Sequence, residues 1–487
     1  MFRQVLKPLS SGYHAAWAFA VVLLTTQLTL AATVSISVAT DGSDDNPGTT
    51  EAPVRSLTRA QALVRTHLHA DAARDVTVHI RKGTYYLDQP LTFTPDDCAA
   101  GDHRVTYAAA DGEEVVISGG QPIAGWKETD DAWVAKLPYV GNGKWQFREL
   151  FINGRRCLRA RHPNRGYFRV AKAGPDDRTS FQFRPEYLKA WPDLDQVELV
   201  FLHDWSTSRV RFAAISESDN MAHLADPIGS AAPHYAISHF EAHPRYFVEN
   251  SLAFLDAPGE WHLDRKAGSL RYRPQDGDAI QTASAVAPRL QRLVSVTGDL
   301  AAGRPVRGLC FRGLTFAHCG WNLPAKGYAA GQAGFHDGNR YADPATRGRV
   351  SMPAAVTFDL ADDCLIENCH FTHLGGAGLF LRQTCRRNRI AKCTFRDIAG
   401  NGVMIGETFT RQAASRGATP PADGALVCRE NVIEDSTIEH CGAEFFGCVG
   451  IWVGIAAETV IAHNEIRNLP YTGVSVGWGW NTKPTGC

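Results

Sequence analysis

Two stretches, LIENCHFTHLGGAGLFL (Leu365–Leu381) and RIAKCTFRDIAGNGVMI (Arg389–Ile405), repeat one pattern 24 residues apart. Ile366, Cys369, Phe371 and Leu374 are followed by Gly378 with Leu379 and Leu381; Ile390, Cys393, Phe395 and Ile398 are followed by Gly402 with Val403 and Ile405. The pattern returns at Ile433, Ser436, Ile438, Cys441, Gly450, Ile451 and Val453, and again at Ile461, Asn464, Ile466, Leu469, Gly473, Val474 and Val476. An earlier copy, Phe311, Leu314, Phe316 and Cys319, opens the series. Within each short run the apolar residues alternate with period two, which is the strand period. A repeat of this length, strand-like and punctuated by glycine, marks a solenoid.

The simplest object is a right-handed parallel β-helix with one coil per repeat. Equivalent side chains then stack between coils, with Leu314, Cys369, Cys393, Ser436 and Asn464 in one inward row and Phe316, Phe371, Phe395, Ile438 and Ile466 in a second. A leucine-rich repeat is the rival solenoid. It requires a leucine-rich consensus and often a helix in each repeat, and neither is present.

Working outward, Ser56 precedes Leu57, Ala60, Leu63 and Val64, a helical spacing behind a good N-cap. A short amphipathic helix there caps the open end of the solenoid. Val76 to Ile80, Gly83 to Tyr86, Leu91 to Phe93, Val105 to Tyr107 and Val115 to Ile117 read as the first coils. The period is lost from Gly119, and short strands such as Trp133 to Leu137, Val197 to Leu202 and Trp261 to Asp264 follow without a repeat. The expected organisation is all-β: a signal peptide at 1–32, a cap and first coils at 33–118, an inserted β-rich module at 119–290, and the main helix at 291–487.

Arg3 and Lys7, the apolar run Ala15 to Leu30, and then Ala31 and Ala32 follow the layout of a secretory signal peptide. Export to the periplasm or beyond is expected, with no membrane association after cleavage. A net charge of -1 gives no reason to expect nucleic acid as a partner. Of the twelve cysteines, Cys319, Cys369, Cys393 and Cys441 fall on inward repeat positions and are expected to pack as small hydrophobes. Cys98, Cys157, Cys385, Cys428 and Cys448 are left as candidates for disulfides, without a connectivity. There is no CxxC spacing to suggest zinc. After Trp480 only seven residues remain, with no cap in them, so the helix is expected to be cut short at its C-terminus.

Aligning the glycine strands turns Phe380, Met404, Trp452 and Ser475 outward, with Arg382, Gly406, Gly454 and Gly477 in the next outward row and Gln383, Glu407, Ile455 and Trp478 beside it. Glu407 closes a strand and precedes the long insertion 408–424, which makes it the best acid in the chain for a site. Glu444, in a turn between two strands, is a second candidate. Trp452, Trp478 and Trp480 are aromatic faces suited to sugar rings. Arg382 suits an acidic sugar or a surface ion pair. Asp362-Asp363 and Asn388 to Lys392 have the wrong spacing for the paired aspartates of pectin hydrolases and are set aside.

Several segments resemble secreted bacterial β-helix proteins close to glycoside hydrolase family 141: DGSDDNPGTTEAPVRSLTRAQALV (Asp41–Val64), GTYYLDQPLTF (Gly83–Phe93), ELFINGRRCLRARHPN (Glu149–Asn164) and GIWVGIAAETVIAHNEIRNLPYTGVSVGWGW (Gly450–Trp480). The resemblance implies a polysaccharide or oligosaccharide of plant or algal type as partner, and acid/base hydrolysis by two carboxyl groups without a cofactor. It also implies that the catalytic acids sit in later Asp-Gly-Gly-Gly and Asp-Glu-Gly segments. The sequence ends before either, so the catalytic pair is expected beyond Cys487. A lyase on the same fold, using a basic residue and Ca²⁺, and a non-catalytic glycan-binding helix are the alternatives.

Overall fold

A computed structural model describes residues 33–129, 131–229, 235–337, 349–407 and 427–477. The segment read as a signal peptide, the insertion after Glu407, Trp478, Trp480 and the C-terminal tail lie outside the described residues.

Three parallel ladders build the solenoid. The first has eight strands, from Val34–Val38 to Val460–Ala462; the second has seven, from Gly83–Tyr86 to Glu465–Arg467; the third has seven, from Leu91–Phe93 to Val474–Val476. The chain visits the ladders in that order, as in Leu365–Glu367, His370–Leu374 and Ala377–Gln383. Phe316 pairs in register with Phe371, Phe371 with Phe395, Phe395 with Ile438 and Ile438 with Ile466, so the aromatic row read from the sequence is real. Its rings stack, with centroids 5.1 Å apart for Phe316 and Phe371 and 4.5 Å for Phe371 and Phe395. The polar end of the other inward row is hydrogen-bonded along the stack: the Cys393 amide donates to Ser436 Oγ and the Ser436 amide to Asn464 Oδ1.

The repeat glycines are required by close approach. A Cβ on Gly378 would lie 2.6 Å from the carbonyl oxygen of Gly402, and one on Gly402 would lie 2.7 Å from that of Gly450. The corner between the first and second ladders is one residue in the left-handed region, at Gly313, Asn368, Lys392, Asp435 and His463 in successive coils. The helix Leu57–Ala70 forms with Ser56 as N-cap, Oγ accepting from the Arg59 amide, and buries Leu57, Ala60, Val64 and Leu68 against the first coil. None of the eleven described cysteines is in a disulfide, so Cys98, Cys157, Cys385, Cys428 and Cys448 are thiols. Ten of the eleven are buried, where a sulfur packs without a partner.

Two large insertions leave the solenoid at the corner between the second and third ladders. One coil runs Val105–Ala109, Val115–Ser118, and does not reach its third strand until Val294–Thr297. Between them lie a four-stranded sheet, a five-stranded sheet and eight strands of a nine-stranded sheet. In the next coil the same turn, after Leu314–Cys319, sends Tyr328–Ala329 out to pair with the long strand Thr207–Ser216 of the module. The module holds two apolar cores of its own, around Phe181, Phe201 and Tyr246, and around Trp133, Trp261 and Tyr272.

Candidate functional site

The alternation that turns Phe380, Met404 and Trp452 outward holds, because they sit in register across the third ladder. Their exposure does not follow from it. Trp452 is 0% exposed, inside a second apolar cluster with Trp321, Tyr328, Met352, Phe380, Met404 and Phe445. The loops after Cys319 and Cys441 fold back over this face of the ladder, so the expectation of an open sugar platform at Trp452 is corrected.

What stays open is the end of the ladder. A bulge after Phe358 brings Asp359 level with Gln383. Leu381 pairs with Ile405, so the row continues toward Glu407 on the next coil. Arg382 projects here with a side chain 48% exposed and makes two hydrogen bonds to Asp359, from Nε at 2.8 Å and Nη2 at 2.7 Å. Those bonds to Asp359 hold the Arg382 guanidinium more firmly protonated, with Glu407 adding to the field. Arg382 is therefore fixed by an ion pair, the second of the two roles its sequence allowed. Glu407 is buried at the strand end and its backbone meets Ile455. With strands about 4.8 Å apart, Asp359 and Glu407 stand roughly 9.6 Å apart along the ladder. The result is a rim in which Asp359 holds a guanidinium and Glu407, at the buried strand end of the next coil, adds to the negative field.

Glu444 belongs elsewhere. Module and solenoid meet along a buried ionic seam that sequence reasoning missed. His318, His373 and Asp397 share a left-handed backbone position near the end of successive strands of the second ladder, which turns their side chains outward in a row. The His318 and His373 rings stack with centroids 5.5 Å apart, and Phe151 of the module packs on both. Arg156, on the same hairpin, reaches Asp397 at 2.7 Å, Glu444 at 3.2 Å and the Leu374 carbonyl at 2.9 Å. Arg209 clamps the Glu444 carbonyl from the other side at 2.9 Å. Glu444 thus anchors the module to the solenoid and does not face an open cleft. Only the left-handed residues could have signalled the seam, and non-glycine residues in that conformation leave little trace in a sequence.

Glu149 lies in the same seam, 1% exposed, with neither carboxyl oxygen hydrogen-bonded among the described residues. A Cβ on Gly375 would meet its Oε1 at 2.4 Å, so the second ladder's glycine turn makes room for it. Burial, then the charge of Glu444, pushes its pKa up to about 8. Folded Glu149 keeps its proton to about pH 8, while the unfolded group releases it near 4.5. Between those values folding takes up a proton, so the stability tied to Glu149 is full below about pH 4.5 and is lost as pH rises through 8. The slope is at most about 1.4 kcal/mol per pH unit. The expected result is that wild type loses melting temperature from pH 5 to pH 8 and Glu149→Gln loses less. Parallel melting curves for the two proteins would refute it.

Comparison with known proteins agrees with this architecture. Residues 130–275 match the GH141 insertion domain, and residues 354–487 match the right-handed β-helix region. The chain thus carries a match to that insertion domain beside a right-handed β-helix. A solved glycoside hydrolase is 26% identical to it, with a TM-score of 0.82, over 93% of this chain and 80% of that one. The structure of XylC with xylose is 13% identical, with a TM-score of 0.48, over 91% of this chain and 60% of that one. The pectate lyase PEL9 of Emericella nidulans is 28% identical over 156 residues, 31% of this chain and 36% of the lyase. The chain therefore aligns with about a third of that lyase's length. The match to the insertion domain falls on the module that the seam pins against the second ladder.

Proposed function

We propose that the protein is an exported glycoside hydrolase that acts on a polysaccharide with two carboxyl groups. The observation that carries this reading is the likeness to a glycoside hydrolase over 93% of the chain, insertion module included. In this reading the rim of the third ladder holds the sugar. Arg382, positioned by Asp359, donates to the sugar's oxygens, and Glu407 lines the path beside it.

The test measures glycan binding and release of reducing sugar on a panel of plant and algal polysaccharides, for wild type and Glu407→Gln. Wild type is expected to bind one glycan of the panel and to release reducing sugar from it. Glu407→Gln is expected to raise KM more than it lowers kcat, because the group binds and does not transfer protons. Binding without any release of reducing sugar would overturn the hydrolase reading. Loss of kcat by at least about a hundredfold in Glu407→Gln would make Glu407 itself an acid or base.

The partial match to a pectate lyase favours β-elimination as the second reading. It predicts digests that gain ultraviolet absorbance from unsaturated ends and lose it with chelator. Reducing ends without that absorbance decide for hydrolysis.

A further inference from the structure

A second cavity lies away from the rim, between the long module strand Thr207–Ser216 and the loop 322–327 that the solenoid contributes. It encloses about 300 Å³, room for a single sugar unit with a few waters. Five arginines line it, Arg148, Arg159, Arg209, Arg211 and Arg265, and Glu198 is the one acid on its wall. Glu249 lies behind, bonded to Arg159 at 2.7 Å and Arg209 at 2.5 Å. Two carboxylates thus face five guanidiniums.

The arginines differ in what they are used for. Arg148 pairs with Glu198, and Arg159 bridges Glu198 and Glu249. Arg209 divides its donors between Glu249 and the Glu444 carbonyl. Arg211 gives one donor to the Ala325 carbonyl at 2.8 Å. The Arg265 guanidinium meets no acceptor among the described residues, although its backbone amide is held by Gln196. Burial disfavours its charge, Glu198 acts against that, and Arg159, Arg211 and Arg148 add repulsion. Arg148 Nε and Arg159 Nε are also buried without acceptors. A half-buried cation surrounded by like charge costs stability, and an anion seated in the cavity would reverse the sign of that interaction. Phe147, Leu263, Leu323 and Pro324 line the same cavity and add apolar surface to it. A planar carboxylate on a ring with C–H faces suits both kinds of lining, the fork of Arg meeting the carboxylate and the apolar side chains meeting the ring.

We propose that the inserted module carries a binding pocket for an acidic sugar residue, with Arg265 and Arg211 holding its carboxylate. The site is independent of the hydrolysis reading, because its walls come from the module and one loop and include neither Arg382 nor Glu407.

The experiment is isothermal titration of the full chain with D-galacturonate, D-galactose and sodium sulfate at fixed ionic strength, for wild type, Arg265→Gln, Arg211→Gln and Arg312→Gln, an exposed arginine of the solenoid outside the cavity and the rim. Galacturonate is expected to bind at least about tenfold more tightly than galactose or sulfate. Arg265→Gln and Arg211→Gln are each expected to weaken it by about tenfold or more, and Arg312→Gln to leave it unchanged. Arg265→Gln is also expected to melt no lower than wild type, since the guanidinium has no acceptor to lose. A purely structural arginine would show the opposite, with lower melting and unchanged binding. Similar affinity for galactose and galacturonate would overturn the proposal, as would sulfate binding as tightly as the uronate, which marks a bare anion site. Absence of uronate binding, or its loss in Arg312→Gln, would overturn it too.

Discussion

Arg156→Met is expected to cost about 3–5 kcal/mol of stability, the range for removing one member of a buried ion pair. The side chain is 11% exposed and serves Asp397, at 24%, and Glu444, at 15%. Its charge also opposes the effect of burial and Glu444 on Glu149, more than Arg148 or Arg159 does. Methionine keeps most of the volume and the packing on Phe151, whose ring centroid lies 5.0 Å from the guanidinium carbon. What it removes is the cation, leaving the Asp397 and Glu444 carboxylates without it beside a protonated Glu149, in a site poorly reached by water. The check is the denaturation midpoint, together with hydrogen exchange at the Phe151–Arg156 hairpin. The triple variant Arg156→Met, Asp397→Asn, Glu444→Gln is expected to recover most of the loss, because a neutral seam contains no orphaned charge. A single variant within about 0.5 kcal/mol of wild type, the range of ordinary surface substitutions, would mean that the seam does not hold the module.

Phe371→Ala is expected to cost a similar amount, about 3–5 kcal/mol, for a different reason. Phe371 is 0% exposed and stacked between Phe316 and Phe395. Alanine leaves a ring-sized void that the neighbours cannot fill, since the ladders fix the spacing of the coils. Phe371→Leu keeps more of the volume and is expected to cost less. Because each coil touches only its neighbours, the damage should be local. Hydrogen exchange should rise in Leu365–Gln383 and the coils on either side before it rises at the N-terminal cap. A uniform rise along the whole solenoid would contradict that locality.

Which parts of this molecule could be read in advance depended on the range of the force involved. The register of the Phe371 row was visible because a side chain one coil away is one repeat away in sequence. The cap at Ser56 was visible because a helix start is local. Trp452 was read as outward and is outward, yet it is covered by Trp321 and Phe445 from loops whose paths no periodicity fixes. Glu444 was read as a turn acid and is one, but its partner Arg156 lies 288 residues away in sequence. Arg382 sat at an expected position, while Asp359, which fixes it, entered the row only through a bulge. The strand Val34–Val38 went unread because it carries no repeat signature. The arginine cavity drew no notice, since its five members are scattered from Arg148 to Arg265 and gather only when the module's sheets fold.

The coil that is interrupted between Ser118 and Val294 imposes an order on how the chain can mature. Its first strand, Val105–Ala109, finds its next neighbour only at Leu309–Arg312, so the early windings cannot zip onward turn by turn as the ribosome delivers them. At roughly 5–20 residues per second, the wait for the 176 residues from Ser118 to Val294 lasts about 10–35 s. Throughout it a bare strand edge of the N-terminal portion stands open to pairing with other chains. The module must therefore find its own shape first and return the chain to the waiting edge, acting during biogenesis as a checkpoint between two halves of a tube.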